Sequence, residues 1–205
     1  MKKILAGTLG LAACLLVGTV AFAAATEVMK GTPVIDGKKD AMYSQTISIP
    51  LGDGLVYATA ADNTLRCSAI SWLLYDDNYF YVYGEVIDPE VEANPDVTEG
   101  TNPWFNDAFE NWVDLGDGGG KATVSPFINY SFDTTIYDLE NAKLASTKTA
   151  KSYTVEIAIP KTGLTKGGTI SYVLQLNDFT PEGAIICYGA QTGGLVEYTL
   201  GGAVK

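Results

Sequence analysis

Hydrophobic and polar residues alternate along the chain from Thr32 onward, in short runs separated by Gly, Asp, Asn and Pro. Alternation with a period of two predicts β-strands that have one apolar face. The clearest strands are predicted at 79–88, 153–160 and 169–178. Their expected core-facing residues are Phe80, Val82 and Val86, then Tyr153, Val155, Ile157 and Ile159, then Ile170, Tyr172, Leu174 and Leu176. Thr154 and Glu156, which alternate with the second group, are expected to point outward. Further strands are predicted at 45–49, 65–74, 108–115, 123–129, 184–190 and 196–200.

No segment after the first 25 residues has helical periodicity, and there is no repeat or linker. Strands with one apolar face pair in antiparallel sheets that pack face to face. We therefore expect an all-β fold, an antiparallel two-sheet β-sandwich of the immunoglobulin-like or jelly-roll-like kind. One domain over residues 26–205 is expected.

The first 25 residues are typical of a secretory signal peptide. Lys2 and Lys3 precede an apolar run, and Ala21-Phe22-Ala23 has the small-x-small spacing of a cleavage site. We therefore expect a secreted, extracellular protein with a signal peptide over residues 1–25 and no membrane span. An alternative is a lipid anchor, because Leu11-Ala12-Ala13-Cys14 resembles a lipobox.

The composition excludes several function classes. A net charge of −11 repels phosphate backbones, so nucleic acid is not an expected partner. The chain contains no histidine, which removes Ser-His-Asp and Cys-His catalysis and the usual zinc and haem ligands. A glycosidase pair among the 24 acidic residues stays possible, but we expect no enzyme activity.

Two cysteines follow the predicted signal peptide, Cys67 and Cys187. An exported pair can form a disulfide, whereas cysteines in apolar strands also pack as free thiols, and the sequence favours neither. Oxygen-rich turns at 36–40 and 76–78 could bind a hard cation, but Asp-rich turns of this kind are common without one.

Candidate binding residues lie before and on two predicted strands. Trp104 lies in a polar, proline-containing loop, where an indole can offer a flat plate to a sugar ring or can fold back onto the core. Glu110, Trp112 and Asp114 share one face of their strand, and Gln175 and Asn177 share one face of another. Such polar side chains can bond the hydroxyls of a sugar, or they can simply form a solvated outer face. Asn111 falls on the apparent core face and needs a buried partner.

Five blocks, in order, resemble family 9 carbohydrate-binding modules. They cover nearly all of the chain after the signal peptide, and the third is similar to the family's Trp-x-x-Asp-x-x-Glu element. The blocks are Thr32-Pro33-Val34-Ile35-Asp36-Gly37-Lys38-Lys39-Asp40, the run from Leu74 to Pro89, Asn102-Pro103-Trp104-Phe105-Asn106-Asp107-Ala108-Phe109-Glu110, the run from Tyr153 to Pro160, and Gln175-Leu176-Asn177-Asp178.

The resemblance implies a β-sandwich, often attached to xylanases, that binds sugars between two tryptophans and holds structural calcium. It assigns stacking to Trp104 and hydroxyl contacts to Glu110, Gln175 and Asn177. The family's binding arginine corresponds to Phe127 here, and the segment that would carry the second tryptophan has none. Tyr188 is the candidate substitute.

The main hypothesis is a non-catalytic carbohydrate-binding module that holds a plant-type or other oligo- or polysaccharide. An alternative is a structural or cell-surface interaction module that has lost sugar binding, with an envelope or secreted-enzyme partner. Haem binding through Met29 or Met42 is a further alternative, because some sandwiches related to the family hold haem.

Overall fold

The computed structural model describes residues 25–59, 61, 64, 66–97, 103–127, 131–132, 141–190 and 194–205. The predicted signal peptide lies outside them, except for its last residue. Among the described residues no helix is long and apolar enough to cross a membrane.

The described residues form thirteen β-strands and two short 3-10 helices. The helices are Ala41–Gln45 and Pro103–Phe105. The strands are β1 (Val28–Lys30), β2 (Ser48–Pro50), β3 (Leu55–Ala58), β4 (Ser68–Tyr75), β5 (Tyr79–Ile87), β6 (Ala108–Asp114), β7 (Gly120–Val124), β8 (Ser131–Phe132), β9 (Lys143–Lys148), β10 (Ser152–Pro160), β11 (Thr169–Phe179), β12 (Ile185–Gly189) and β13 (Val196–Ala203). The all-β class is as the sequence predicts.

The strands are joined into one curled sheet in the order β8-β7-β6-β11-β13-β1-β4-β5-β10-β9. Off this path, β2 pairs with β4, β12 pairs with β11, and β3 pairs with β12. Strand β13 belongs to both halves. Its residues 196–199 pair with β11, and Leu200 and Ala203 pair with β1. The two halves are called the first sheet, which contains β4, β5 and β10, and the second sheet, which contains β6, β7, β11 and β12.

One apolar core lies between the two sheets. It takes side chains from both, including Phe80, Val82 and Ile157 of the first sheet and Phe109 and Leu174 of the second. All the residues predicted to face inward from 79–88, 153–160 and 169–178 lie in this core. The arrangement is sandwich-like, as expected from strands with one apolar face.

The expectation of purely antiparallel pairing is wrong at β1. This strand runs parallel to β13 and to β4. It is only three residues long and follows directly after the predicted signal peptide, so alternation could not identify it. The pairing places the first and last strands of the domain side by side.

The buried amide of Asn111 has the partners that its position on the core face requires. Its side chain is fully buried. The amide nitrogen donates to the carbonyl oxygen of Ala122 at 3.2 Å, and the amide oxygen accepts from the hydroxyl of Tyr172 at 2.9 Å. The amide is thus bonded to a β7 carbonyl and to a β11 tyrosine, both in the second sheet.

Part of the outer face of the first sheet is covered by residues 35–43 rather than open to solvent. Glu156, predicted to point outward, does lie on that face but is fully buried. Its carboxylate accepts hydrogen bonds from the backbone of Asp36 and Gly37, each at 3.0 Å, and from the hydroxyl of Tyr43 at 3.1 Å. One buried acid therefore holds the opening turn and the first 3-10 helix onto the sheet.

Candidate functional site

Strands β6 and β11 place three polar side chains next to one another on the outer face of the second sheet. The two strands are antiparallel, with Gln175 directly opposite Glu110 and Asn177 opposite Ala108. Directly opposed residues share one face of a sheet. Because Glu110, Gln175 and Asn177 alternate with core residues, all three point away from the core.

These three side chains form a closed hydrogen-bond network. Glu110 accepts from the amide of Gln175 at 3.0 Å and from the amide of Asn177 at 2.9 Å. The Gln175 amide also donates to the side-chain oxygen of Asn177 at 2.9 Å. Their exposed fractions are only 2%, 3% and 1%. The network is therefore held rigidly, and it forms the floor of the candidate site.

Trp104 lies beside this floor. It belongs to the 3-10 helix Pro103–Phe105, and its backbone carbonyl accepts a hydrogen bond from the Asn177 amide at 3.0 Å. The indole is half-buried, so it is neither sealed in the core nor fully free. Asn177 thus fixes the loop that carries the aromatic plate relative to the acid and the amides.

Lys121 of β7 also belongs to the site, and the sequence analysis missed it. Its ammonium lies 3.5 Å from the Glu110 carboxylate, 4.5 Å from the centre of the Trp104 ring and 5.3 Å from that of Trp112. The side chain is only 8% exposed. The alternation of Lys121 and Thr123 with Ala122 and Val124 could have revealed it, but the strand was predicted to begin at Thr123.

The electrostatics of the site depend on the buried Glu110. Burial raises the pKa of its carboxyl group, and the charge of Lys121 and the hydrogen bond from Asn177 oppose that rise. An ionised acid at this depth requires such compensation, because desolvation disfavours the charged form.

Three buried polar atoms around Glu110 have no hydrogen-bond partner. They are the amide oxygen of Gln175, the hydroxyl of Thr123 and the indole nitrogen of Trp112. Thr123 is paired with Glu110 in the sheet register, and Trp112 is two residues along the same strand. Buried polar groups are normally satisfied, so these atoms retain hydrogen-bonding capacity that the described residues do not use with good geometry.

Three other residues considered in the sequence make different contacts. Tyr188 is 6% exposed and is paired with Leu176, whose side chain is in the core. The structure therefore places Tyr188 on the opposite face from Gln175 and does not bring it to Trp104. Phe127 lies with its ring 3.9 Å from the ammonium of Lys148. Asp114, predicted beside Glu110, instead accepts backbone hydrogen bonds from the turn 116–118.

The remaining candidate ligands serve other roles. Cys67 and Cys187 are free, buried thiols. In the two Asp-rich turns, Asp76 accepts hydrogen bonds from the backbone of Asn78 and Tyr79, and Asp40 accepts from that of Val34. Met29 and Met42, named for haem ligation, pack against the aromatic cluster of the first sheet.

The fold is shared with two solved structures of a family 9 carbohydrate-binding module from Caldicellulosiruptor kristjanssonii. One is in complex with glucose (TM-score 0.68) and one with cellotriose (TM-score 0.66). Both are 22% identical to this chain and cover 85% of it, and the match covers 94% and 92% of the respective structures.

Curated relatives include an exoglucanase XynX from Acetivibrio thermocellus and an endo-1,4-β-xylanase A from Thermoanaerobacterium saccharolyticum. Both are 29% identical to this chain, the first over 162 residues and the second over 164, and each match covers 75% of this chain. The match spans only 14% and 13% of those longer proteins. The model of the family described as carbohydrate family 9 binding domain-like matches residues 35–186, so the chain belongs to that family.

Proposed function

We propose that this protein is an exported, non-catalytic module that binds a carbohydrate on the outer face of its second sheet. The observation that carries the proposal is the network of Glu110, Gln175 and Asn177, bounded by Trp104 and surrounded by buried polar atoms without partners. Membership of the family supports carbohydrate as the ligand class.

The polar groups suit a hydroxylated ring. A sugar hydroxyl both donates and accepts hydrogen bonds, and the site offers both kinds of partner. The amide oxygen of Gln175 accepts, the indole N–H of Trp112 donates, and the hydroxyl of Thr123 can do either. A rigid sheet holds them at fixed spacing, which lowers the entropic cost of binding.

Trp104 provides the apolar part of the site. The ring's π-system attracts the ammonium of Lys121, which lies near its centre, and this contact helps to fix the ring. The C–H groups of a pyranose are apolar and pack well against an indole. We assign stacking to Trp104 and remove Tyr188 from the proposed site, because it lies on the opposite face.

Gluco- and xylo-oligosaccharides are the first ligands to test. The solved relatives hold glucose and cellotriose, and the curated relatives are an exoglucanase and a xylanase of much greater length. By the same reasoning, a secreted glycoside hydrolase is the proposed partner, and the module would keep that enzyme near its substrate.

Calorimetric titration with glucose, cellotriose and xylotriose tests the proposal. We expect saturable binding, and Trp104→Ala should weaken it roughly five- to thirtyfold, because about 1–2 kcal/mol of apolar contact is lost. Trp72→Phe is the matched control, since Trp72 lies on the first sheet and packs on Tyr83. The absence of binding at millimolar sugar, or equal affinities for both variants, would refute the proposal.

A structural or interaction module is the second candidate. It is favoured by the placement of Tyr188, the candidate substitute for the family's second tryptophan, on the opposite face from Gln175. Retention of envelope or secreted proteins by the immobilised domain, abolished by substitution of surface residues and not by free oligosaccharide, would support this candidate over sugar binding.

A further inference from the structure

A second group of chemically reactive side chains lies at one end of the sandwich, apart from the proposed sugar site. Cys67 immediately precedes β4, and Asp88 immediately follows β5, so both come from the first sheet. Asp178 is near the end of β11 in the second sheet. The sulfur and one carboxylate oxygen from each acid lie within 4.8 Å of one another, and all three residues are buried.

A fourth side chain points to a missing ligand at this place. The hydroxyl of Tyr153 is buried and has no hydrogen-bond partner, and the residue is 2% exposed. Tyr153 lies close enough to Asp107, Cys67, Asp88 and Asp178 for their charges to act on its hydroxyl. An unpartnered hydroxyl next to a thiol and two carboxylates is expensive unless something bonds to it.

The donor set decides which cation could fit. Calcium takes six to eight oxygen ligands, but one donor here is a thiol. Each carboxylate oxygen of Asp107 accepts a backbone hydrogen bond, from Phe179 and from Glu92. Asp88 accepts one backbone hydrogen bond, from Glu90 on Oδ1, and Asp178 accepts from the Arg66 guanidinium. Zinc accepts a thiolate and carboxylates in four-coordinate sites, with ligand atoms about 3.5 Å apart at bond lengths of about 2.0–2.3 Å. The three ligand atoms, all within 4.8 Å of one another, would have to approach to about that spacing on binding.

The charges agree with this assignment. A thiolate and two carboxylates carry three negative charges. Arg66 already contacts Asp178, with its guanidinium nitrogen 3.2 Å from the carboxylate. Arg66 is partly exposed and also lies 3.5 Å from Glu90. One divalent ion together with this guanidinium would supply three positive charges, and the proton of the thiol would be released on binding.

We propose that Cys67, Asp88 and Asp178 bind a zinc ion, with the hydroxyl of Tyr153 or a water molecule as the fourth ligand. The ion joins the end of the first sheet to the end of the second and therefore stabilises the sandwich. None of its ligands belongs to the set Glu110, Gln175, Asn177 and Trp104, so its function is structural, and the proposal does not depend on sugar binding.

The first test uses the wild-type protein, freed of metal with a chelator. We expect Zn²⁺ to bind at one ion per chain and to raise the unfolding temperature, and Ca²⁺ at equal concentration to do neither. Co²⁺ in place of Zn²⁺ should give the near-ultraviolet charge-transfer band of a thiolate ligand. No zinc binding, or cobalt binding without that band, would overturn the proposal.

Matched cysteine variants locate the ion. Cys67→Ser should weaken zinc binding by roughly 100-fold or more, since loss of even an outer-shell partner costs 10- to 100-fold. Cys187→Ser should bind zinc normally, because Cys187 is a buried free thiol in a different apolar cluster. If both variants bind zinc like the wild type, or if only Cys187→Ser loses it, the assignment is wrong. Asp88→Asn gives a second, independent loss of a ligand if Cys67→Ser does not fold.

Discussion

Substitution of Lys121 by methionine tests the electrostatic design of the sugar site. Methionine keeps most of the side chain's length and apolar contacts but removes the charge. The ammonium lies 3.5 Å from the Glu110 carboxylate, and both side chains are almost completely buried. At an effective dielectric constant of ~20, this separation corresponds to an attraction of about 5 kcal/mol. Removal of one partner of such a pair typically costs about 3–5 kcal/mol.

The pH dependence separates this effect from a simple loss of packing. Burial already raises the pKa of Glu110, and Lys121 opposes the rise, so the variant's pKa should be higher still. A carboxyl group whose folded-state pKa exceeds its unfolded value of about 4.3 binds more protons in the folded state, and stability falls as pH rises. Below the unfolded pKa that loss is absent. The deficit of Lys121→Met should therefore be small near pH 4 and approach its full size near pH 7.5.

Urea unfolding followed by circular dichroism at several pH values measures the deficit. Glu110→Gln combined with Lys121→Met completes a double-mutant cycle, and we expect the second substitution to cost less once the carboxylate is gone. An equal deficit at pH 4.5 and pH 7.5, or strict additivity in the cycle, would show that the ion pair does not stabilise the site.

Three further predictions concern stability and binding. Glu156→Ala removes the acceptor of three hydrogen bonds and should lower the unfolding free energy by about 3–5 kcal/mol, measured by urea titration. Gly84→Ala would place a Cβ atom 2.5 Å from the Phe109 ring and should lower the unfolding free energy by about 1–3 kcal/mol. The control Gly202→Ala, where the nearest atom is 4.0 Å away, should be almost neutral. Equal effects of the two substitutions would contradict the close packing of the two sheets. Calorimetry across pH should show sugar affinity falling as the pH is lowered and Glu110 becomes protonated. Because the pKa of Glu110 is raised, this fall should begin at a higher pH than for an ordinary glutamate, and a flat profile would exclude its carboxylate from binding.

The long strands could be predicted because their side chains alternate between a core and another environment. In β5, Phe80, Val82 and Val86 lie in the core between the sheets, while Tyr81 and Tyr83 pack in a separate aromatic cluster. Alternation does not show what covers the second face, and for that reason Glu156 was expected to be exposed. The short strands β1, β3 and β9 have too few residues or too little contrast to be recognised.

The binding residues could be grouped in part. The alternation within each strand predicts that Gln175 and Asn177 share a face of β11 and that Glu110 lies on the polar face of β6. Only the pairing of β6 with β11 brings these faces together. Alternation in β7 could have shown the face on which Lys121 lies, but only the pairing of β7 with β6 brings it to Glu110. The sequence could not place Tyr188, because the side on which a residue of β12 lies depends on the register with β11, which the sequence does not specify.

The parallel pairing of β1 with β13 and β4 also has a mechanical consequence. A force that pulls the start of β1 away from the end of β13 acts along the strand axes. It therefore loads several interstrand hydrogen bonds at once, including that from the backbone of Val204 to Lys30, instead of opening them one after another. A domain tethered at both ends, with one side attached to a solid surface, would for this reason resist tension by shearing rather than by peeling.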